Sequence, residues 1–238
     1  MTDLPKAIRK VYYINLDRRP DRNSHMVQEF KRINIPDEKI ERFTAIDGLK
    51  LFEHGVNARD LGFFRNSDFM RLKNKNALIG NQLSHMRIID KIIENKYEVC
   101  IIMQDDIKFI DTFNEELSKI IDNMPEDTEI IHIGFHRCAN GAHVVAWDLI
   151  QQTSDTNNHY ERPVNEYIAQ CKNSTNPCST AYIITQKGAR QFKDYVEKVG
   201  FRRATDGNFN DYLRAKNVDY CSRLVLCTGI QEFGSDVF

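Results

Sequence analysis

The sequence lacks several features that identify common classes of protein. None of its apolar runs reaches the roughly 18 to 20 residues that cross a bilayer, and its first residues contain no apolar core of a secretory signal. Lys and Arg (33) balance Asp and Glu (34), and a net charge of −1 disfavours nucleic acid as a partner. We therefore expect a soluble protein in the cytoplasm, or in the host cytoplasm if its source is viral.

The usual phosphate-binding and hydrolytic motifs are absent as well. The sequence contains neither Gly-x-Gly-x-x-Gly nor Gly-x4-Gly-Lys-Ser/Thr, which disfavours dinucleotide-binding and P-loop proteins. It contains no Gly-x-Ser-x-Gly, the motif of many serine hydrolases. Its 6 cysteines include no Cys-x-x-Cys pair and no zinc-knuckle spacing with histidine. Because disulfide frameworks are typical of smaller secreted chains, we expect all six to be reduced thiols.

Strand and helix patterns alternate along the 238 residues. Short β-prone apolar runs occupy residues 11–16, 40–46, 98–103, 129–134 and 181–185, and a strand-like stretch occupies 218–227. Helical spacing of apolar residues occurs at 20–33, 77–93, 112–124, 186–199 and 206–216. The alternation predicts an α/β fold with a parallel or mixed sheet, whose ligands bind at the carboxyl ends of the strands. Residues 135–178 are predicted to be irregular.

Two adjacent acidic residues, Asp105 and Asp106, follow the apolar run at 98–103 after a single intervening residue, Gln104. Their mutual repulsion raises the free energy of the fold unless water or a cation compensates it. One interpretation is a solvated turn, and the other is a site for Mg²⁺ or Mn²⁺, which prefer oxygen ligands and also bind phosphate. Alternation along extended backbone predicts that Gln104 and Asp106 face one way and Asp105 the other. The second interpretation makes Asp106 the metal ligand.

Three arginines, Arg18, Arg19 and Arg22, follow the first predicted strand. One interpretation is a solvated loop that leads into a helix. The other is a contact with a diphosphate, because the planar guanidinium group matches paired phosphate oxygens. The composition and spacing of this segment leave both interpretations open.

Several segments in one order carry a resemblance to a known family. They are residues 14–22 (INLDRRPDR), 45–48 (AIDG), 80–85 (GNQLSH), 101–107 (IIMQDDI), 179–184 (STAYII) and 187–190 (KGAR), then Asp206, Gln231 and 235–236 (SD). Together they resemble glycosyltransferase family 25, which includes lipopolysaccharide sugar transferases and procollagen galactosyltransferases. The matching segments extend over nearly the whole chain.

The resemblance implies a GT-A type fold, with a Rossmann-like mixed sheet flanked by helices in a single domain of residues 1–238. Residues 1–134 would form the half that binds the nucleotide sugar, and residues 135–238 the acceptor and catalytic half. The implied reaction is transfer of a hexose with inversion, from a UDP-sugar to a glycan or glycosylated-protein acceptor, with Mn²⁺ or Mg²⁺ as cofactor. Gln104 replaces the Glu of the family and removes one negative charge, so the alternative is a protein of this fold that binds nucleotide sugar or glycan with impaired catalysis.

Carried over by position, the resemblance also assigns residues to roles. The residues expected to bind or support the donor are Asn15, Leu16, Arg18, Ala45, Asp47, Ser84, His85, Gln104 and Asp105. Asp106 is expected to hold the cation against the diphosphate, with Gln231 as a further ligand. The catalytic candidates are Asp206, as the general base for the acceptor hydroxyl, and Asp236. The sequence does not indicate the oligomeric state.

Overall fold

Strands and helices alternate through the first half of the chain. The structure is a computed structural model, and it describes residues 2–51, 53–55, 64, 75–135, 160–171, 179–230, 233–234 and 236. The elements of the first half are β1 (Ile8–Asn15), α1 (Pro20–Arg32), β2 (Ile40–Thr44), α2 (Lys75–Glu94), β3 (Val99–Gln104), β4 (Ile107–Phe109), α3 (Phe113–Asp122) and β5 (Ile130–Phe135). Those that follow are β6 (Tyr160–Pro163), β7 (Ile168–Cys171), β8 (Ala181–Thr185), α4 (Gln186–Val199), α5 (Thr205–Ala215), β9 (Tyr220–Ser222) and β10 (Cys227–Gly229).

These strands belong to one mixed sheet. Its main order is β2-β1-β3-β8-β5-β9-β7-β6, and β10 pairs with β4 and β5. β1 is parallel to both β2 and β3, with Ile14 opposite Phe43 on one side and Gln104 on the other. The carboxyl ends of these three strands therefore meet at the same edge of the sheet. That edge is where ligands bind in many open α/β sheets.

Apolar runs become the centre of the sheet. Val99–Met103 of β3 is at most 8% exposed, because the strand lies between β1 and β8 and is covered on both faces. Helix α1 starts with Pro20 in its first turn, as the sequence predicts, and its last turn carries Lys31 and Arg32, whose charges favour that end of a helix. Of the helices in the described residues, none is long and apolar enough to cross a membrane.

The prediction of an α/β fold with a mixed sheet flanked by helices is confirmed. The prediction that residues 135–178 are irregular is wrong in part, because β6 and β7 form an antiparallel hairpin there. β6 ends the sheet order and carries exposed charged residues and Pro163, so it lacks the apolar signal of a central strand. The single stretch predicted at 218–227 is two strands, β9 and β10.

Candidate functional site

A cleft opens at the edge where β1, β2 and β3 end. We call its apolar residues the apolar lining: Ile14, Leu16, Ala45, Ile46, Leu49 and Ala77. We call Arg18, Arg22, Asp105, Asp106 and Asp236, five of its acidic and basic residues, the charged lining. Asp47, Asn81, Ser84 and Gln104 also line the cleft. Segments far apart in sequence thus meet here because three parallel strands end side by side.

Arg22 neutralises the acidic pair of the charged lining. It is 5% exposed, and its Nη1 lies 2.9 Å from Asp105 Oδ1 and 3.4 Å from Asp106 Oδ2. Asp105 Oδ2 also accepts a hydrogen bond of 2.6 Å from Asn15 Nδ2. The repulsion between the two carboxylates is therefore offset by a guanidinium group of the protein itself.

The predicted alternation of Gln104, Asp105 and Asp106 is wrong. The strand ends at Gln104, and residues 105–106 form a bend before β4. All three residues line the cleft, and both carboxylates contact Arg22. The alternation rule fails here because it applies to extended backbone only. Asp105 and its partner Asn15, which is itself buried and not part of the lining, hold the end of β1 against the end of β3.

Asp236 joins the charged lining from near the end of the chain. Its Oδ1 lies 2.5 Å from Arg18 Nη1, and its Oδ2 lies 2.6 Å from Arg19 Nη1 and 3.3 Å from Arg22 Nη2. Burial raises the pKa of Asp236, but hydrogen bonds from Arg18 and Arg19 and the charges of Arg22 and Arg18 outweigh it and lower the pKa below its usual range. A carboxylate held ionised in this way is a weak proton acceptor, which favours an ion-pairing role over the catalytic role expected for Asp236.

Asp47 connects the two linings. Its Oδ2 accepts a hydrogen bond of 3.0 Å from Arg18 Nε, and its Oδ1 accepts one of 3.0 Å from Leu49 N. The second bond caps the short 3₁₀ helix Gly48–Lys50 that follows. Asp47 thereby fixes both the direction of Arg18 and the turn that presents Leu49.

Helix α2 holds the apolar lining from behind. Ser84 Oγ accepts a hydrogen bond of 2.9 Å from Ile46 N and donates one of 2.7 Å to Gly80 O. A methyl group at Gly80 would overlap with Ile46 O, so only glycine permits this close backbone approach. Residues 45–48 and 80–85, two of the segments that carry the family resemblance, are therefore packed against each other.

His85, the neighbour of Ser84, lies in the core instead of the cleft. It is fully buried and stacks on Tyr182, with its Nδ1 2.7 Å from the hydroxyl oxygen of Tyr182. Burial lowers its pKa to about 3, so the imidazole is neutral at physiological pH. A direct contact of His85 with the donor has no support in this geometry, and any effect on the donor would act through packing.

The remaining predicted site residues lie at the margin. Asp206 lies in the first turn of α5 and is not among the lining residues. Its neighbour Thr205 donates a hydrogen bond of 2.7 Å to Asn81 Oδ1, and Asn81 does line the cleft. The first turn of α5 is thus tied to the cleft. Gln231 lies outside the described residues.

Sequence reasoning gave no firm role to Arg22, Leu49, Ala77 or Asn81. A signal for Arg22 was present, because it falls on the buried stripe of α1 together with Met26, Glu29 and Phe30. An arginine on the buried face of an amphipathic helix requires charged partners inside the protein. Asn81 lies in the segment 80–85 that carries the family resemblance, and no comparable signal marks Leu49 or Ala77.

The cleft offers oxygen ligands for a divalent cation, although not a complete set. Among the described residues, no group of three or more His, Cys, Asp and Glu could hold a metal ion. Asp106 and Gln104 both line the cleft, and Mg²⁺ commonly combines one or two carboxylates with substrate phosphates. These residues therefore fit a cation that binds together with a phosphorylated ligand.

Comparison with known proteins identifies the family. The model of "Glycosyltransferase family 25 (LPS biosynthesis protein)" matches residues 8–207, most of the chain. The chain belongs to glycosyltransferase family 25. The resemblance predicted from the sequence is confirmed.

Several relatives of this family 25 chain share part of its sequence. Procollagen galactosyltransferase 2 of Homo sapiens is 28% identical over 134 residues, which cover 54% of this chain and 21% of that protein. Putative glycosyltransferase R655 of Acanthamoeba polyphaga mimivirus is 30% identical over 138 residues, 52% of this chain and 37% of that protein. A glycosyltransferase 25 family member of Anopheles gambiae is 23% identical over 199 residues, 80% and 30% of the two chains. The matched region is thus well under half of each relative.

Among solved structures, the apo form of mouse xyloside xylosyltransferase 1 is similar to this chain. The TM-score is 0.38 at 12% sequence identity, and the match covers 91% of this chain and 72% of that one.

Proposed function

We propose that this protein transfers a hexose, with inversion, from a UDP-sugar to a hydroxyl group of a glycan or glycosylated protein. The observation that carries the proposal is the division of the cleft into an apolar and a charged lining. A nucleotide sugar has the same division, because its base and ribose present apolar faces and its diphosphate is anionic. Membership of glycosyltransferase family 25 supports the same reaction.

The donor would lie with its nucleoside against the apolar lining. Leu16 and Ala45 offer apolar contacts there, and Asp47 and Gln104 offer acceptors for ribose or sugar hydroxyls. Arg18, the member of the charged lining that pairs with Asp47, is 42% exposed in its side chain, so its guanidinium can contact a phosphate. The sugar would then lie near Asp105 and Asp106.

Departure of the nucleoside diphosphate needs positive charge. The arginines of the charged lining supply part of it, and Arg22 also orients Asp106. A Mn²⁺ or Mg²⁺ ion held by Asp106, with Gln104 and Gln231 as further proposed ligands, would stabilise the charge that develops on the phosphate by several kcal/mol. Gln104 in place of an acid makes this proposed site less negative than that of the family.

For the general base we propose Asp206. It would accept the proton of the acceptor hydroxyl while that oxygen bonds to the sugar carbon and the bond from the carbon to the diphosphate breaks. Asp236 is a weaker candidate because it is ion-paired to Arg18 and Arg19. The hydrogen bond between Thr205 and Asn81, next to Asp206, supports a position at the cleft margin.

The test is transfer or hydrolysis of UDP-galactose, UDP-glucose and UDP-N-acetylglucosamine, with Mn²⁺, with Mg²⁺ and with EDTA. We expect Asp106→Asn to lower kcat by about 100-fold or more, and Asp206→Asn by roughly 10²- to 10⁴-fold. Asp211→Asn is the matched control, because Asp211 lies on the same helix as Asp206 but pairs with Arg203 Nε at 3.3 Å. The control should keep its turnover within a factor of two.

Three results would contradict parts of this proposal. Binding of UDP-sugars without any product would favour the alternative of a binding protein with impaired catalysis. Full turnover in EDTA would contradict the proposed role of a cation. Full turnover of Asp206→Asn would contradict the proposed role of Asp206 as the general base.

We also propose a cytoplasmic location for this reaction. It is supported by the cysteines that the structure describes, Cys100, Cys171, Cys221 and Cys227, which are all buried free thiols. Cys138 and Cys178 lie outside the described residues. Fractionation of cells that express the tagged protein would test the location, and recovery in a secretory compartment would contradict it.

A further inference from the structure

One carboxylate occupies the centre of a cluster of arginines at the cleft. Each oxygen of Asp236 contacts a different guanidinium, Oδ1 that of Arg18 and Oδ2 that of Arg19, at 2.5 and 2.6 Å. Arg22 Nη2 lies 3.3 Å from the same Oδ2. Each carboxylate oxygen accepts from an arginine N–H, as phosphate oxygens do when arginines bind a phosphate group.

The backbone around Asp236 is anchored without help from its carboxylate. Phe233 O accepts a hydrogen bond of 3.1 Å from Arg19 Nη2, and Gly234 O accepts one of 2.6 Å from Arg22 Nη2. The ring of Phe233 also lies 5.2 Å from that of His25 and 5.9 Å from the Arg22 guanidinium. Removal of the carboxylate alone therefore leaves residues 233–234 in place.

The cluster is accessible from the cleft. Asp236 and Arg18 both line it, and the Arg18 side chain is 42% exposed whereas that of Asp236 is 14% exposed. Arg19, whose side chain is 16% exposed, is not among the lining residues and is reached through its contact with Asp236. Arg18 is also fixed by Asp47, so it keeps its direction if Asp236 moves away. A phosphate that entered along the cleft would meet Arg18 first and then compete with Asp236 for Arg19.

We propose that Asp236 is an internal competitor of the donor's diphosphate, and that Arg18 and Arg19 form the site for which both compete. This inference rests on the proposed function and identifies Arg19 as a further diphosphate-binding residue. In the protein without donor the carboxylate neutralises the arginines. When the donor binds, its diphosphate replaces Asp236 as their partner.

The experiment is calorimetric titration of the full chain with UDP and with inorganic pyrophosphate, both in EDTA. We expect Asp236→Asn to lower the Kd of both ligands by about tenfold, which corresponds to ~1.4 kcal/mol. The reason is that the ligands then no longer compete with a carboxylate for Arg18 and Arg19. Asp21→Asn is the matched control, because Asp21 also pairs with Arg19, at 2.7 Å, but its side chain is 50% exposed, so water screens its charge more than that of Asp236, which is 14% exposed. Its Kd should stay within a factor of two, and Arg19→Gln should raise the Kd of both ligands about tenfold.

An unchanged or raised Kd in folded Asp236→Asn would overturn the proposal, because that result is expected if Asp236 acts as a metal ligand or as a general base. If Asp236→Asn does not fold, the proposal is tested by amide hydrogen exchange of residues 227–238 in the wild-type protein. Faster exchange on saturation with pyrophosphate supports release of Asp236, and slower exchange contradicts it. Tighter pyrophosphate binding without any UDP-sugar turnover would refute the proposed function alone, whereas turnover with unchanged Kd would refute this inference alone.

Discussion

The two linings of the cleft are held in place by different interactions. Backbone contacts fix the apolar lining, where Ser84 binds Ile46 N and the glycines at 48 and 80 permit close approach. Ion pairs between distant segments fix the charged lining, such as Arg22 with Asp105 and Arg18 with Asp236, the latter 218 residues apart. We therefore expect the apolar lining to keep its shape when a ligand binds, and we expect charges of a ligand to replace those of the charged lining.

The largest expected effect comes from breaking the charged lining at Arg22, its buried arginine, which is 5% exposed. Arg22→Leu would leave Asp105 and Asp106 without their shared cation and should lower the free energy of unfolding by about 3 to 5 kcal/mol. Urea denaturation followed by circular dichroism would measure it. Asp17→Asn is the comparison, because it breaks the ion pair between Asp17 and Arg42, in which the Asp17 side chain is 69% exposed. Its free energy of unfolding should fall by no more than about 1 kcal/mol. Equal losses in both variants would show that the charged lining does not depend on buried ion pairs.

A smaller effect is expected from breaking the support of the apolar lining. Ser84→Ala removes the acceptor of a buried backbone N–H, that of Ile46, and should cost about 1 to 3 kcal/mol in the same urea assay. Ser118→Ala is closely matched, since Ser118 Oγ donates to Asn114 O one turn earlier, as Ser84 Oγ does to Gly80 O. It leaves no backbone N–H without its acceptor and should change stability by less than about 0.5 kcal/mol. A loss in Ser118→Ala as large as that in Ser84→Ala would contradict the role given to Ile46.

The smallest effect concerns the mouth of the apolar lining. Leu49 is 78% exposed although it lines the cleft, so a bound nucleoside would cover it. Leu49→Ser should raise the Kd of UDP about fivefold, through loss of ~1 kcal/mol of apolar contact, with stability unchanged. Val27→Ser serves as control, because Val27 is 40% exposed on α1 and does not line the cleft. An unchanged Kd in Leu49→Ser would place the nucleoside elsewhere.

Much of this arrangement could be predicted from the sequence. Apolar runs and helical spacing predict the central strands and the helices, because burial in a sheet or along one helix face requires those patterns. The acids after β3 and the arginines after β1 were both predicted as candidates for the site. Parallel strands that end together are enough to bring such residues to one edge.

Other features depended on packing and escaped prediction. Ser84 and His85 are adjacent on α2, yet Ser84 lines the cleft and His85 contacts Tyr182 in the core. The sequence cannot distinguish their two positions, because both residues lie near the buried side of the helix. Packing of the neighbouring elements determines which of the two lines the cleft. The same holds for Asp105 and Asp106, whose bend brings both to Arg22.

The sequence by itself determined the family, the α/β order of elements and the chemical types at the cleft. Local periodicity and short segments encode all of these. Only the tertiary structure decided which charges pair, because Asp236 reaches Arg18 and Arg19 through contacts more than 200 residues apart in the chain. Ion pairs depend on distance in space, and spacing along the sequence does not reveal that distance.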